Sequence, residues 1–358
     1  MLHHTRIHRC DFLHIVGNES RKTMNTLNFQ PISQEKFNQF SFEGKDRKVY
    51  SNINLSIFTD DYCNANCRFC IEQFRFQNKG QMYKKCKIRN DEEYFKRLEY
   101  VLDYLRPLNP SVSITGGEPT KSRRLKRTLE LIDKYEYRKR VLTTNGSGLL
   151  DVVDGKSVIQ HIVDNGFSHL NISRAHYNED VNKSIMQYRT GYFSNDDLRR
   201  IVDFAKINNL RPRMSCVLLK EGVNSLDEII KYLDFYESLG LDNVVFRELA
   251  DFDSEIMLNL EKMAYCDANK IRLSDIWKHI DNDQRFTPIR QILGHYYWVK
   301  IHKYKSIDMV SQKTDLVQLY CLRPEDTVFE MVFHPNGNLN GSWVDNEDIL
   351  LEYTSDRK

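Results

Sequence analysis

Three cysteines, Cys63, Cys67 and Cys70, stand in a Cys-x3-Cys-x2-Cys spacing within the segment TDDYCNANCRFCIEQ. Thiolates this close together can wrap one small metal centre. A [4Fe-4S] cube is usually held by four cysteines, so a loop that offers three leaves one iron open to a substrate-like ligand, and an open iron makes a site catalytic. The alternative chemistry for the same residues is a closed tetrahedral zinc centre with Cys86 or a His as the fourth ligand. Cys10, Cys86, Cys216, Cys266 and Cys321 are scattered along the chain, which is not the pattern of a disulfide scaffold.

Three further segments carry small or polar residues where a ligand could approach. Ile114-Thr115-Gly116-Gly117-Glu118-Pro119-Thr120 forms a turn in which missing side chains bring backbone close to a bound molecule, with a carboxylate beside it. Leu142-Thr143-Thr144-Asn145-Gly146 and Asn171-Ile172-Ser173-Arg174 each end a short apolar run with hydroxyl or amide groups suited to ribose and carboxylate recognition. Each segment alone is equally readable as a helix cap or a plain strand-to-helix connection.

Taken together these motifs resemble the radical S-adenosylmethionine (SAM) superfamily, whose cysteine loop has this spacing with an aromatic residue, here Phe69, before the last Cys. The resemblance implies a [4Fe-4S] cluster on Cys63, Cys67 and Cys70, and SAM as the second cofactor. It also implies reductive SAM cleavage to a 5′-deoxyadenosyl radical that abstracts hydrogen from a substrate, with electrons from a flavodoxin- or ferredoxin-like donor. By position in the family motifs, Thr115, Gly116, Gly117, Glu118 and Pro119 would line the SAM site, with Glu118 near the SAM amino group, and Thr144, Asn145 and Ser173 would complete it. Over residues 50 to 250 the chain looks like the subgroup containing the GTP cyclase of molybdenum-cofactor biosynthesis. Only Cys266 and Cys321 follow that stretch, and the chain ends Ser-Asp-Arg-Lys, so GTP is not the expected substrate. Gly341, Ser342 and Trp343 stand where peptide-modifying relatives carry an auxiliary-cluster Cys, so no auxiliary cluster is expected. The substrate is expected to be a small molecule or nucleotide, with peptide modification and a non-catalytic zinc-stabilised binding protein as alternatives.

Arg174, His176 and Tyr177 after the fourth strand, and Arg247 and Glu248 on the sixth, are expected to face the cavity and contact substrate. The arginines would clamp a phosphate or carboxylate, unless Arg174 or Arg247 pairs structurally with Glu248. Cys321 could relay a radical or donate hydrogen, although a lone Cys is usually a small buried hydrophobe.

The elements that must position these residues are legible in the pattern. Six short apolar runs, Asn52–Phe58, Ser111–Thr115, Arg140–Thr144, His169–Ser173, Arg213–Leu219 and Asn243–Glu248, alternate with helix-period segments, as parallel strands joined by helical crossovers do. They are read as strands covered on both faces. Asp91–Leu105 and Lys121–Tyr135 carry apolar helical stripes. Ser194 with Asp197 and Ser225 with Glu228 fit capping boxes, while Gly166 and Gly240 sit at helix ends. The fold expected is α/β: a partial (β/α)6 TIM-like barrel of the radical SAM type with a C-terminal α+β cap, function lying on the loops at the strands' C-terminal ends. The expected domains are an N-terminal extension over residues 1–49, the barrel over 50–250 and a substrate-capping region over 251–358. In that last region Leu273–Ile280 reads as a helix and Asn336-Gly337 as a hairpin turn. His295, Tyr296, Tyr297 and Trp298, followed by Lys300, Lys303 and Lys305, read as a cap strand from the alternation of Tyr297, Val299 and Ile301.

The 358 residues carry 52 basic and 50 acidic side chains, a formal charge of +2. That balance supports neither nucleic-acid nor membrane attraction. No apolar run approaches the roughly 20 residues of a membrane span and the first residues lack the apolar core of a signal peptide, so a cytoplasmic location is expected.

Overall fold

The structure, a computed structural model, describes residues 36–70, 72, 88, 90–250, 259–316, 319 and 324–354. Six parallel strands run side by side in sequence order: β3 (Asn54–Phe58), β4 (Ser111–Thr115), β5 (Lys139–Thr144), β8 (His169–Ser173), β9 (Arg211–Val217) and β10 (Asn243–Arg247). The intervening strands β6 (Val152–Val153) and β7 (Lys156–Ser157) form only a small hairpin. Before the barrel, β1 (Phe37–Phe42) and β2 (Lys45–Tyr50) pair as an antiparallel hairpin. The architecture is a partial barrel of the expected class.

Helices cover one face of the sheet. Between β3 and β4 lies α1 (Asp91–Leu105), capped by Asn90, whose side chain accepts the Glu93 amide hydrogen. Its residues Leu98, Val101, Leu102 and Leu105 are fully buried, and each such side chain contributes about 1.5–3 kcal/mol by leaving water. The next helix, α2 (Leu125–Asp133), starts later than its apolar period suggests, because Pro119–Lys121 is spent on a tight 3-10 turn. Then come α3 (Val158–Asp164), α4 (Glu179–Met186), α5 (Asn195–Ile207) and α6 (Leu226–Ser238). Ser194 and Asp197 form the reciprocal capping box at the start of α5. Ser225 accepts the Glu228 amide hydrogen, but the Glu228 carboxylate turns to Lys231 instead of back to the cap. Gly166 and Gly240 take positive φ at helix ends.

The two faces of the sheet differ: the one under the helices is apolar and covered, while the other, expected to be covered as well, is polar and half-buried. Leu142, Leu170, Ile172, Met214, Cys216 and Phe246 are essentially fully buried beneath the helices. Their alternates Thr143, Asn171, Ser173, Arg213, Ser215 and Arg247 are only half-buried and polar. Successive strand residues point to opposite faces, so these line the lumen of the barrel.

The chain after residue 259 is woven into both edges of this sheet. Past α7 (Leu260–Asn269) and α8 (Leu273–Ile280) runs an antiparallel meander of β11 (Phe286–Leu293), β12 (Tyr297–Tyr304) and β13 (Ile307–Thr314), whose last strand pairs in parallel with β10. At the other edge, after β14 (Thr327–Val328) has joined β2, β15 (Met331–Phe333) pairs in parallel with β3 and continues into β16 (Leu339–Asn340) and β17 (Ile349–Leu351). The turn between β15 and β16 holds Gly337 at φ +88°, as its Asn-Gly sequence predicts. In β12 the inward face is the even-numbered one: Trp298, Lys300, His302 and Tyr304 are buried. The strand is the one its alternation predicts, and Lys300 can enter the core because it finds Asp281 at 2.7 Å. Among the described residues no helix is long and apolar enough to cross a membrane.

Candidate active site

The cysteine loop leaves the C-terminal end of β3 and is pinned from three sides. The first is the Gly-Gly-Glu-Pro turn after β4. The Gly117 amide donates to the Asp60 carbonyl at 2.9 Å and the Glu118 amide to the Tyr62 carbonyl at 2.6 Å. The approach is so close that a Cβ on Gly117 would lie 1.9 Å from the Tyr62 carbonyl oxygen, and one on Gly116 2.7 Å from that of Asp60. Glycine is therefore required here to seat the loop, a role distinct from the SAM contact that the resemblance implies.

The second support is the segment after α4, which runs antiparallel to the loop. The Asn66 amide donates to the Gln187 carbonyl at 3.0 Å, the Arg189 amide to the Asn64 carbonyl at 2.8 Å, and Ala65 bridges Tyr188. The third is α7, where Lys262 reaches the Cys67 carbonyl at 2.5 Å. Arg68 meanwhile stacks on Tyr265, 4.1 Å from the ring centre, and pairs with Glu221 at 3.0 Å.

Cys67 and Phe69 pack in a small apolar cluster with Ala175, Ile185, Met186, Leu219, Leu249 and Cys266. Burial pushes the Cys67 thiol well up from its ordinary value, and the neighbouring Cys70 and Cys63 thiols push it further, while Lys262 pulls it down. Cys63 and Cys70 thus both bear on the charge of Cys67. Among the described residues no three His, Cys, Asp or Glu side chains already stand in a metal-binding arrangement. The donor set itself, three thiols on one tightly held loop with an apolar wall, fits an iron–sulfur cluster. Cys63 accepts the Ala65 amide hydrogen at 3.4 Å, the kind of bond that favours a thiolate.

Glu118 lies at the centre of the loops, 2% exposed. One carboxylate oxygen accepts from the Thr120 amide at 3.0 Å, the Thr120 hydroxyl at 2.6 Å and the Thr144 hydroxyl; the other accepts the Asn145 amide at 2.6 Å. Burial still raises its pKa, because desolvation outweighs these donors. Asn145 then donates to Asn64 on the cysteine loop at 2.9 Å. Glu118, Thr144 and Asn145 form a brace between three strand-end loops, with Pro119 starting the 3-10 turn. Thr115 and Ser173 end β4 and β8, half-buried.

The substrate residues expected on the fourth and sixth strands divide. Arg174 is fully buried and donates to the Phe193 carbonyl and the Asn195 side chain, holding the segment before α5; its partner is not Glu248. His176 and Tyr177 stack on each other, 4.3 Å between centroids, and reach Glu228 of α6 at 3.4 and 3.3 Å. The expectation that they face the cavity is corrected: they belong to the helical layer. Glu248 accepts the Leu273 amide hydrogen at 2.8 Å, capping α8, with Lys270 at 3.7 Å. Arg247 does line the lumen, donating to Gln312 at 2.7 Å and Ser215 at 3.3 Å.

The sequence reading passed over Asn64, Tyr188 and Lys262, for which no local pattern exists, and Arg213 with its lumen neighbours. For those the signal was present: SVSIT, HLNIS and RMSCV alternate polar with apolar residues. Cys86 and Cys321 lie outside the described residues.

A model of the radical SAM superfamily matches residues 57–233, which contain the cysteine loop and the turns bracing it. This region belongs to the radical SAM superfamily. Membership of that superfamily implies SAM and an iron–sulfur cluster as cofactors of this region. No curated protein matches it. Among solved structures, it resembles Streptococcus suis SuiB bound to S-adenosylmethionine, at 17% identity and a TM-score of 0.49, over 84% of this chain and 61% of that one. It also resembles the radical S-adenosylmethionine methyltransferase TsrM from Kitasatospora setae, at 13% identity and a TM-score of 0.40, over 55% of this chain and 36% of that one. A radical SAM methyltransferase from Sphaerobacter thermophilus shares 13% identity at a TM-score of 0.39, over 65% and 69%. The chain thus spans about three fifths of the length of SuiB and about a third of TsrM.

Proposed function

We propose that Cys63, Cys67 and Cys70 hold a single [4Fe-4S] cluster at which SAM is reductively cleaved, and that the reaction acts on a small molecule or nucleotide. The observation that carries this reading is the cysteine loop itself. It carries three thiols, two of which bear on the charge of Cys67, and it is seated on a Gly-Gly turn that tolerates no Cβ and backed by the apolar cluster around Cys67. When bound, the cluster supplies one electron to SAM, releasing methionine and a 5′-deoxyadenosyl radical that takes a hydrogen atom from the substrate.

The chain's own residues then have separable tasks. Phe69 and the side chains packed with it keep water from the cysteine loop, protecting a reactive intermediate. Glu118, Thr144 and Asn145 fix the distance between the loops after β4 and β5 and the cysteine loop. Thr115 and Ser173, which keep their hydroxyls without a protein partner among the described residues, and the backbone of Gly116 are the groups assigned to direct SAM contact. Residues 251–358 are assigned to substrate enclosure, and a flavodoxin- or ferredoxin-like protein to electron supply.

Anaerobic reconstitution with iron and sulfide tests the reading. A brown protein that converts SAM to 5′-deoxyadenosine under dithionite is expected. A colourless protein that retains one zinc and leaves SAM intact would overturn it.

A further inference from the structure

The lumen of the barrel carries positive charge that no carboxylate among the described residues balances. Arg213 on β9 donates its Nε to Asn171 at 2.9 Å, and Asn171 in turn donates to Thr143 at 3.3 Å. Arg247 on β10 donates to Ser215 and Gln312, both neutral. Among the described residues neither guanidinium has a carboxylate partner. Among those residues, both terminal nitrogens of Arg213 and one of Arg247 also find no acceptor. Arg211, two residues earlier on β9, shows the contrast, for it meets Asp308 at 3.4 Å and Asp242 at 3.5 Å.

Leaving two cations unpaired inside a protein is costly. The cost registers on both: burial lowers the pKa of Arg213, with Arg211 adding to it, and lowers that of Arg247 to about 10, with Arg213 adding to it. Hydrophobic residues of similar volume would fill the barrel more cheaply, so the pair is best explained by an anion that arrives from outside. Guanidinium forks match the planar or tetrahedral oxygens of carboxylate and phosphate. Neutral hydroxyls and amides around them, from Thr143, Asn171, Ser215 and Gln312, add hydrogen bonds without adding competing negative charge.

We propose that Arg213 and Arg247 form an oxyanion-binding floor in the lumen that takes the phosphate or carboxylate group of the substrate. The inference rests on the radical SAM reading and sharpens it by naming the substrate class. The register gives an orientation as well. Ser173 pairs with Ser215 near the C-terminal ends of the strands, and Arg213 lies two residues deeper on β9, roughly 7 Å further in. The anionic end of the substrate therefore points down the lumen, and its reacting carbon toward the mouth where the cysteine loop lies.

The test uses the reconstituted full chain, titrated calorimetrically with pyrophosphate and with tricarballylate at constant ionic strength, with and without SAM. Wild-type protein is expected to bind one of them: pyrophosphate assigns a phosphate-bearing substrate, tricarballylate a carboxylate-bearing one. Arg213→Gln and Arg247→Gln should each weaken binding by about tenfold or more, while Arg211→Gln leaves it unchanged. Should the glutamine variants fail to fold, Arg213→Lys, which keeps the charge but loses the fork, should still weaken binding. Wild-type protein that binds neither anion, or variants that bind as well as wild type, would overturn the proposal. So would anion binding that SAM abolishes, since the pair would then serve the cosubstrate. SAM cleavage assayed on the same preparation keeps the parent reading separate: a protein that cleaves SAM but binds neither anion sinks the floor alone, and one that binds anion without cleaving SAM sinks only the parent.

Discussion

The amide of Asn145 donates to a carboxylate oxygen of Glu118 at 2.6 Å, so that the turn after β5 hangs on the turn after β4. Asn145 then reaches Asn64, and through it the cysteine loop. One buried carboxylate thus sets the spacing of three loops. Glu118→Gln replaces an oxygen with an amide nitrogen that faces donors, and is expected to cost about 1–3 kcal/mol. Because burial holds the folded pKa of Glu118 above its unfolded value of 4.5, the folded state keeps this proton longer. The stability it brings is full below about pH 4.5 and is lost as pH rises through the folded pKa. Urea unfolding from pH 4 upward should show that decline in wild type and a flatter profile in the variant; parallel profiles would refute the assignment.

Gly117→Ala pushes a methyl into the Tyr62 carbonyl. Overpacking against backbone costs about 1–3 kcal/mol. The displaced part is the cysteine loop, so iron content after anaerobic reconstitution should fall more steeply than the thermal midpoint. Full iron loading would show that the loop does not depend on this contact.

Cys67→Ala should abolish 5′-deoxyadenosine formation while leaving the far-UV circular dichroism of the barrel intact. The main core is built from strand and helix residues such as Leu98, Leu142 and Ile172, whereas Cys67 belongs to the separate small cluster. Retained SAM cleavage would remove Cys67 from the ligand set.

Lys300 and Asp281 meet at 2.7 Å with side chains 3% and 14% exposed, and Lys300 lies 5.0 Å from the centre of the Trp277 ring. Asp281→Ala takes away the carboxylate facing a buried ammonium, an expected loss of about 3 kcal/mol. Adding Lys300→Met removes the charge and should recover most of that loss. Chemical denaturation of the single and double variants measures the coupling, and additive losses would deny it.

Much of the scaffold was readable in advance because its signals are local. Asp91–Leu105 carries its own cap and stripe, and the runs SVSIT and HLNIS are strands with the bounds expected of them. The misplaced residues share one cause, namely that direction depends on tertiary neighbours. His176 was assigned to the cavity on its position after β8, and only the proximity of Glu228 on α6 turns it outward. The burial of Lys300 in β12 has no local signal either, for it depends on Asp281, a residue on another element. Arg213, by contrast, does have a local signal, since the alternation in RMSCV sets it on the face opposite Met214 and Cys216.

The pairing of β15 with β3 also bears on how the molecule is made. On the ribosome, the strand that launches the cysteine loop emerges before the other five barrel strands, yet the neighbour that closes its outer side follows only after all of them. Until then that side presents unsatisfied amides and carbonyls, which is an invitation to adhere to other chains. Cluster insertion into a partly synthesised polypeptide would therefore act on an unfinished edge, and chaperone dependence during translation should diminish once Met331–Phe333 has docked.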